Sequence, residues 1–321
     1  MWREVAASST KERGHVGIVR RGNSRAAKGT KLRVAVGIAT VGRPELLRAA
    51  LEELARQSRR PDRVVVCAPD ADDIGGLTDD VRLQIVLGPR GLTRQRNAIL
   101  DTVCDFDVVV FFDDDFLPAP SYLAVVERVF EACPEVVMLT GFVLADGIGG
   151  PGLELDEARR WLSVLGAIER DWRELQEATN GYGCNMALRI AVARAAQCRF
   201  DEKLPLYGWL EDVDFSLRLG QRGRIVKAIA AQGVHLGNKQ GRQSGVRLGY
   251  SQIANPIYLS RKGAVPWRRA IRLMSRNVAA NLLRLMHPEP YIDRSGRTTG
   301  NMRALTDLLT GRLTPERILE M

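Results

Sequence analysis

With 321 residues, 45% hydrophobic and 26% charged, the chain is long enough to bury a sizeable core, as one large α/β domain or two smaller ones. No run approaches the roughly 18 uncharged apolar residues of a spanning helix, no contiguous apolar signal region opens the chain, and five scattered cysteines without CxxC pairing suggest neither a disulfide framework nor a zinc ribbon, so cytoplasmic residence with reduced, mostly buried thiols is expected. The net charge of +9 is uneven: residues 1–33 carry nine Lys/Arg against two Asp/Glu, 34–238 carry 23 against 31, and 239–321 carry 15 against five. An acidic middle between basic ends argues against a nucleic-acid-binding core.

Residues 1–31 mix Ser, Gly, Arg and Lys with little apolar periodicity and read as a basic disordered arm. Leu32 to Thr40 reads as a strand, and Gly42-Arg43-Pro44 as the turn into a helix to Gln57, with Leu46, Leu47, Ala50, Leu51 and Leu54 at helical spacing. Strands follow at Arg63–Ala68 and Val81–Leu87, with acids Asp70, Asp72 and Asp73 between them. After the Gly88–Gly91 turn, Leu92 to Leu100 reads as a helix whose first turns carry Arg94, Arg96 and Asn97, a suitable place for an anion.

Val108 to Phe112 is an apolar run that stops on Asp113, Asp114 and Asp115. Three adjacent carboxylates repel one another, and a hard divalent cation at the end of a buried strand is the simplest partner that offsets the repulsion. A helix over 119–132, a strand from Val136 to Leu144, a flexible Gly-rich connector over 147–152 and a helix over 154–165 come next. The Gly-, Asn- and Tyr-rich stretch from Thr179 to Leu188 reads as a loop running into a short strand, suited to reading a substrate.

From Trp209, apolar residues at 210, 213 and 217 mark a helix with Glu211, Asp212 and Asp214 in its first turns. Those acids either complement the helix dipole or supply a general base at the lip of a pocket. A strand from Gly223 ends at Val234-His235-Leu236, where His235 is placed to ligate a metal.

Together these stretches resemble an inverting family 2 glycosyltransferase. The resemblance covers roughly 32–262 and rests on Thr40 to Pro44, Arg96-Asn97, the DxD position Asp113-Asp114-Asp115, Phe200-Asp201-Glu202, and Glu211 to Asp214 with Arg218. It implies the GT-A type nucleotide-diphospho-sugar transferase fold: a mostly parallel twisted sheet with flanking helices, a nucleotide-binding half (32–118), an acceptor-binding half (119–262) and a helical C-terminal extension (263–321). By the same resemblance the donor is a nucleotide-diphospho-sugar, contacted by Thr40, Arg43, Arg96, Asp113 and Asp114. Asp115 and His235 hold Mg²⁺ or Mn²⁺, Asp212 is the catalytic base, and Asn185, Trp209 and Glu211 face a saccharide, lipid-linked or other hydroxyl acceptor. The family usually has an acid directly after the second strand to hold the nucleotide base. Here Cys67-Ala68-Pro69 stands there, and Asp70 is the nearest substitute. A non-catalytic sugar-nucleotide or glycan-binding relative is the alternative.

Beyond this region, Trp267, Ile271, Met274, Val278, Leu282 and Leu285 recur at helical spacing beside Arg268, Arg272 and Arg276. Such a helix over 265–286 either lies on an anionic membrane at the inner face or packs on the catalytic domain or a second subunit, as in a homodimer. A small helix from Asn301 to Leu309 closes the chain.

Overall fold

The computed structural model describes residues 31–239 and 244–321, so the arm expected over 1–31 lies, apart from Lys31, outside the described residues. A nine-stranded sheet organises the chain. Strands β1 (Val34–Ala39), β2 (Arg63–Ala68), β3 (Leu83–Leu87) and β4 (Val108–Asp113) form its parallel half, in the order β3-β2-β1-β4. The centres of β1, β2 and β4 are almost wholly buried and read as continuous Val/Ile/Phe runs, because helices cover both faces. Helices α1 (Pro44–Ala55) and α2 (Leu92–Thr102) make the crossovers. The chain runs outward from β1 to β2 and β3 and then returns to β4 on the other side of β1. A crevice therefore opens at the carboxyl ends of β1 and β4, where Ala39 pairs with Asp113.

The acidic triplet begins at the carboxyl end of β4, as expected, and then turns back into the sheet. Asp114 and Asp115 form a tight turn, and Phe116–Pro118 is a further strand, β5, antiparallel to β9 (Arg224–His235). The register sets Phe116 opposite His235, and Leu236 N donates to the Asp115 carbonyl at 2.9 Å. Sheet geometry thus puts His235 beside the acids, over a hundred residues away in sequence.

Helix α3 (Tyr122–Ala132) leads to β6 (Val136–Asp146), which runs parallel to β9. Antiparallel pairing enters with β8 (Asn185–Arg189), inserted between β4 and β6, and with the short β7 (Leu175–Glu177) on β9. The Gly-rich connector is packed rather than loose. Its Gly147–Gly149 turn lies so close to Leu236 that a Cβ on Gly147 would stand 2.0 Å from that carbonyl oxygen. Helix α4 (Leu155–Val164) follows it, α5 (Ile190–Ala195) follows β8, and α6 (Glu211–Leu219) leads into β9.

Three helices finish the chain: α7 (Gly245–Arg261), α8 (Trp267–Leu283) and α9 (Arg294–Leu309). Helix α7 has no counterpart in the periodicity reading, because Gly245, Gly249 and Pro256 all weigh against a helix interior. The glycines serve close packing. A Cβ on Gly249 would stand 2.1 Å from the Arg297 carbonyl oxygen, and one on Gly300 2.0 Å from that of Val246, so α7 and α9 meet backbone to backbone. Buried amides tie the bundle: Asn281 on α8 donates to Gln252 (2.8 Å) and Asn301 (2.9 Å). The apolar stripe of α8 is split. Met274 and Val278 pack against α7 and α9, whereas Trp267 (48% exposed), Ile271 (54%) and Leu282 (51%) remain at the surface. Among the described residues no helix is long and apolar enough to cross a membrane.

Candidate active site

The strand ends open into a cavity of about 640 Å³, lined on one side by Thr40, Arg43, Gln95, Asp113, Asp115 and His235. A smaller cavity adjoins it, lined by Tyr182, Gly183, Trp209, Glu211 and Asp212, and Asp113 and His235 border both. Asp113, Asp115 and His235 each turn one ligand atom inward, all within 4.8 Å of one another. Two carboxylates and an imidazole suit Mg²⁺ or Mn²⁺. Asp113, which the resemblance placed on the donor alone, belongs to the same triad.

His235 is held from both sides. Its Nδ1 lies 2.9 Å from Asp146 Oδ1, and its Nε2 faces Asp115 Oδ1 at 3.4 Å. Burial alone would depress the imidazole, but Asp115 and Asp146 override it and raise its pKa to about 10. Burial likewise works against the Asp115 carboxylate, yet His235, Arg43 and the Asn238 amide hold it well below the usual range. Asp146 also accepts from Tyr182 Oη at 3.0 Å and caps the Gly147 turn through Ile148 N at 3.0 Å. Asp146 did not stand out in the sequence, and Tyr182 did so only within the Thr179–Leu188 loop, since nothing linear connects either to His235.

Several expected ligands face inward instead. Asp114 is fully buried and accepts from Thr40 Oγ1 (2.6 Å) while pairing with Arg43 (2.6 Å), so it positions those two residues and does not line the cavity. Burial pushes its pKa up to about 7 against Arg43. Arg96 is buried too. It donates to Glu211, to Asp113 at 2.9 Å and to the Gly183 carbonyl at 2.7 Å, which leaves it a clamp between the two acidic clusters rather than a donor contact. Asp70 is exposed, caps the turn at Ala71–Ile74 and lies away from the cavity wall. Asn185 is 0% exposed in β8, with Oδ1 accepting from Thr140 Oγ1 at 2.8 Å, so no acceptor reaches it. Glu211 borders the smaller cavity but is spent on Arg96, and burial raises its pKa to about 8.

Asp212 is the reachable acid of that cluster. The αL conformation of Leu210 (φ 74°) turns the chain into α6, and the first helical turn then presents Asp212 to the smaller cavity. Its Oδ2 accepts from Gly183 N at 3.0 Å and its Oδ1 from Val213 N at 2.8 Å. Burial raises its pKa, opposed by those N–H groups and by Arg96. One chain of hydrogen bonds, Asp113 to Arg96 to Gly183 to Asp212, therefore spaces the triad from this carboxylate. Trp209 lines both cavities, held by Asn255 Nδ2, which donates to its carbonyl at 2.8 Å.

No protein-family model matches the chain. Over 173 residues it is 28% identical to the glucosyl-dolichyl phosphate glucuronosyltransferase of Haloferax volcanii, a match covering 50% of this chain and 53% of that relative. The chain thus aligns with about half the length of the curated relative. Among solved structures, GalNAc-T7 with UDP, GalNAc and Mn²⁺ superposes with a TM-score of 0.55 at 14% identity, over 88% of this chain and 59% of the other. The mannosyltransferase PcManGT from Pyrobaculum calidifontis, with GDP-Man and Mn²⁺, gives 0.51 at 17% identity, over 99% and 91%. The likeness to these two solved structures is one of fold: a mixed α/β sheet with flanking helices.

Proposed function

We propose that the protein is a metal-dependent, inverting glycosyltransferase that moves a sugar from a nucleotide-diphospho-sugar to an acceptor hydroxyl. The observation that carries this reading is the convergence of Asp113, Asp115 and His235 with Asp212 on two adjoining cavities, with Arg96 clamped between them. Asp113, Asp115 and His235 would hold the Mg²⁺ or Mn²⁺, which when bound supplies Lewis-acid neutralisation of the departing nucleoside diphosphate. Thr40, Arg43 and Gln95 line the nucleotide side, with Asp114 fixing the first two.

Asp212 accepts the hydroxyl proton as the acceptor oxygen attacks the anomeric carbon. The bond to the diphosphate breaks on the opposite face, so configuration inverts. A carboxylate whose pKa is raised by burial is a better base than an exposed one, and two backbone N–H groups fix its direction. Trp209 offers a flat apolar surface to a sugar ring at the same cavity. The exposed Trp267, Ile271 and Leu282 beside Arg268 and Arg272 support peripheral contact with anionic lipid at the inner face. Co-sedimentation with anionic vesicles tests that part, and its loss in Trp267→Ser/Ile271→Ser is expected.

Nucleoside diphosphate release from a panel of nucleotide sugars, with Mn²⁺ and acceptor glycans, tests the main reading. Release that depends on acceptor and falls in Asp115→Asn supports it. Nucleotide binding without turnover on any acceptor would favour a non-catalytic relative instead.

A further inference from the structure

Helix α8 begins against the segment that carries Asp212. Val265, just before the helix, and Ala270 in it are buried in one apolar cluster with Trp209, Leu210 and Val213, the residues around Asp212. From α7 and the turn after it, Asn255 Nδ2 donates to the Trp209 carbonyl at 2.8 Å, and Lys262 Nζ pairs with Asp214 Oδ1 at 3.0 Å. The C-terminal helices are therefore seated on the first turn of α6, within reach of what surrounds the proposed base.

Arg269 makes use of that reach. It lies in the first turn of α8, is half-buried, and donates from Nη2 to Asn180 Oδ1 at 3.1 Å. This is a costly place for a cation. It stands at the positive end of the helix dipole, burial lowers its pKa, and among the described residues no carboxylate lies within ion-pair distance of it. Asp212 is the acid whose charge opposes that burial. A charge kept beside a cleft, where the local rules disfavour it, points to a task.

The loop that Arg269 holds shows what the task is. Asn180 Nδ2 donates to the Gly181 carbonyl at 2.8 Å, Gly181 N to Ser216 Oγ on α6 at 3.0 Å, and Gly183 N to Asp212 Oδ2 at 3.0 Å. Arg269 thus grips one end of a short loop whose other end fixes the direction of the Asp212 carboxylate. Arg96 holds that other end through the Gly183 carbonyl at 2.7 Å. Arg269 itself lines neither cavity, so its effect on the reaction passes through the loop and through its charge. We propose, resting on the transferase reading above, that Arg269 is a positioning residue: from the C-terminal extension it holds the 180–183 loop and keeps a positive charge facing Asp212, so that the carboxylate stays aimed at the acceptor hydroxyl.

The test compares wild type, Arg269→Gln and Arg269→Lys in the full chain with Mn²⁺. Arg269→Gln is expected to lower kcat for transfer about 10–100-fold, as a displaced base does, with KM for nucleotide sugar and for acceptor within about twofold of wild type, and Arg269→Lys to recover most of kcat. Amide hydrogen exchange read by mass spectrometry, without substrate, should be faster in Arg269→Gln over residues 179–184 and unchanged in β1, β2 and β4, which separates a loosened loop from a general loss of stability. Transfer by Arg269→Gln at the wild-type kcat would overturn the proposal. A loss confined to acceptor KM would make Arg269 a binding contact, and faster exchange throughout the sheet would make it a structural one; either result overturns it too. If the wild type transfers no sugar to any acceptor, the transferase reading fails, and the exchange comparison still decides the tether: wild-type rates over 179–184 in Arg269→Gln refute it.

Discussion

Arg96→Met removes the clamp between the two acidic clusters while keeping most of the side-chain volume. The guanidinium is 1% exposed and its donors are spent on Glu211, on Asp113 at 2.9 Å and on the Gly183 carbonyl at 2.7 Å. Glu211 is 4% exposed, and its second oxygen has no hydrogen-bond partner, so it cannot find a replacement. Removing one partner of a buried ion pair costs about 3–5 kcal/mol, and three bonds to a charged donor at about 1.5–3 kcal/mol each set a ceiling above that. The cost is capped because burial already favours the neutral form of Glu211, and losing the Arg96 charge favours it further. Urea unfolding followed by circular dichroism should show a loss of about 3–5 kcal/mol, and Arg96→Met/Glu211→Gln should recover part of it by removing the unpaired acid. An Arg96→Met protein within about 1 kcal/mol of wild type would refute the clamp.

Asp146→Asn keeps the shape but loses the charge that holds His235 Nδ1 at 2.9 Å, and Mn²⁺ affinity measured by EPR should fall about 10–100-fold, as when a metal-bound histidine loses its orienting carboxylate. Gly249→Ala drives a methyl group to 2.1 Å from the Arg297 carbonyl oxygen and should destabilise the α7–α9 crossing by about 1–3 kcal/mol in thermal melts. Glu289 is held down to a pKa of about 2 by Arg294 and Arg284, so its contribution is present above about pH 4.5 and is lost as pH falls toward 2. Melting temperatures between pH 5 and 3 should therefore fall less steeply in Glu289→Gln than in wild type.

The parallel half of the fold was legible because β1, β2 and β4 are unbroken apolar runs and α1 carries a clean helical period. The metal-competent residues were legible as acids and a histidine at strand ends. What residue type cannot convey is direction: Asp114, Arg96 and Asn185 look like ligands but point into the protein, where they fix Thr40, Asp113 and Thr140. Phe116–Pro118 was not legible as a strand because three residues are too few to show a strand period. Helix α7 was hidden by the glycines that allow its close crossing, and the tie from Arg269 to Asn180 by the distance in sequence between them.

On the proposed function the triad serves donor binding and Asp212 the chemistry. The most direct test of this division is Asp212→Asn, compared with wild type for both nucleotide affinity and the rate of glycosyl transfer with Mn²⁺. Nucleotide affinity is expected within about twofold of wild type and transfer reduced by about 10²–10⁴-fold, the usual worth of a positioned base. Transfer at the wild-type rate in Asp212→Asn would contradict the division.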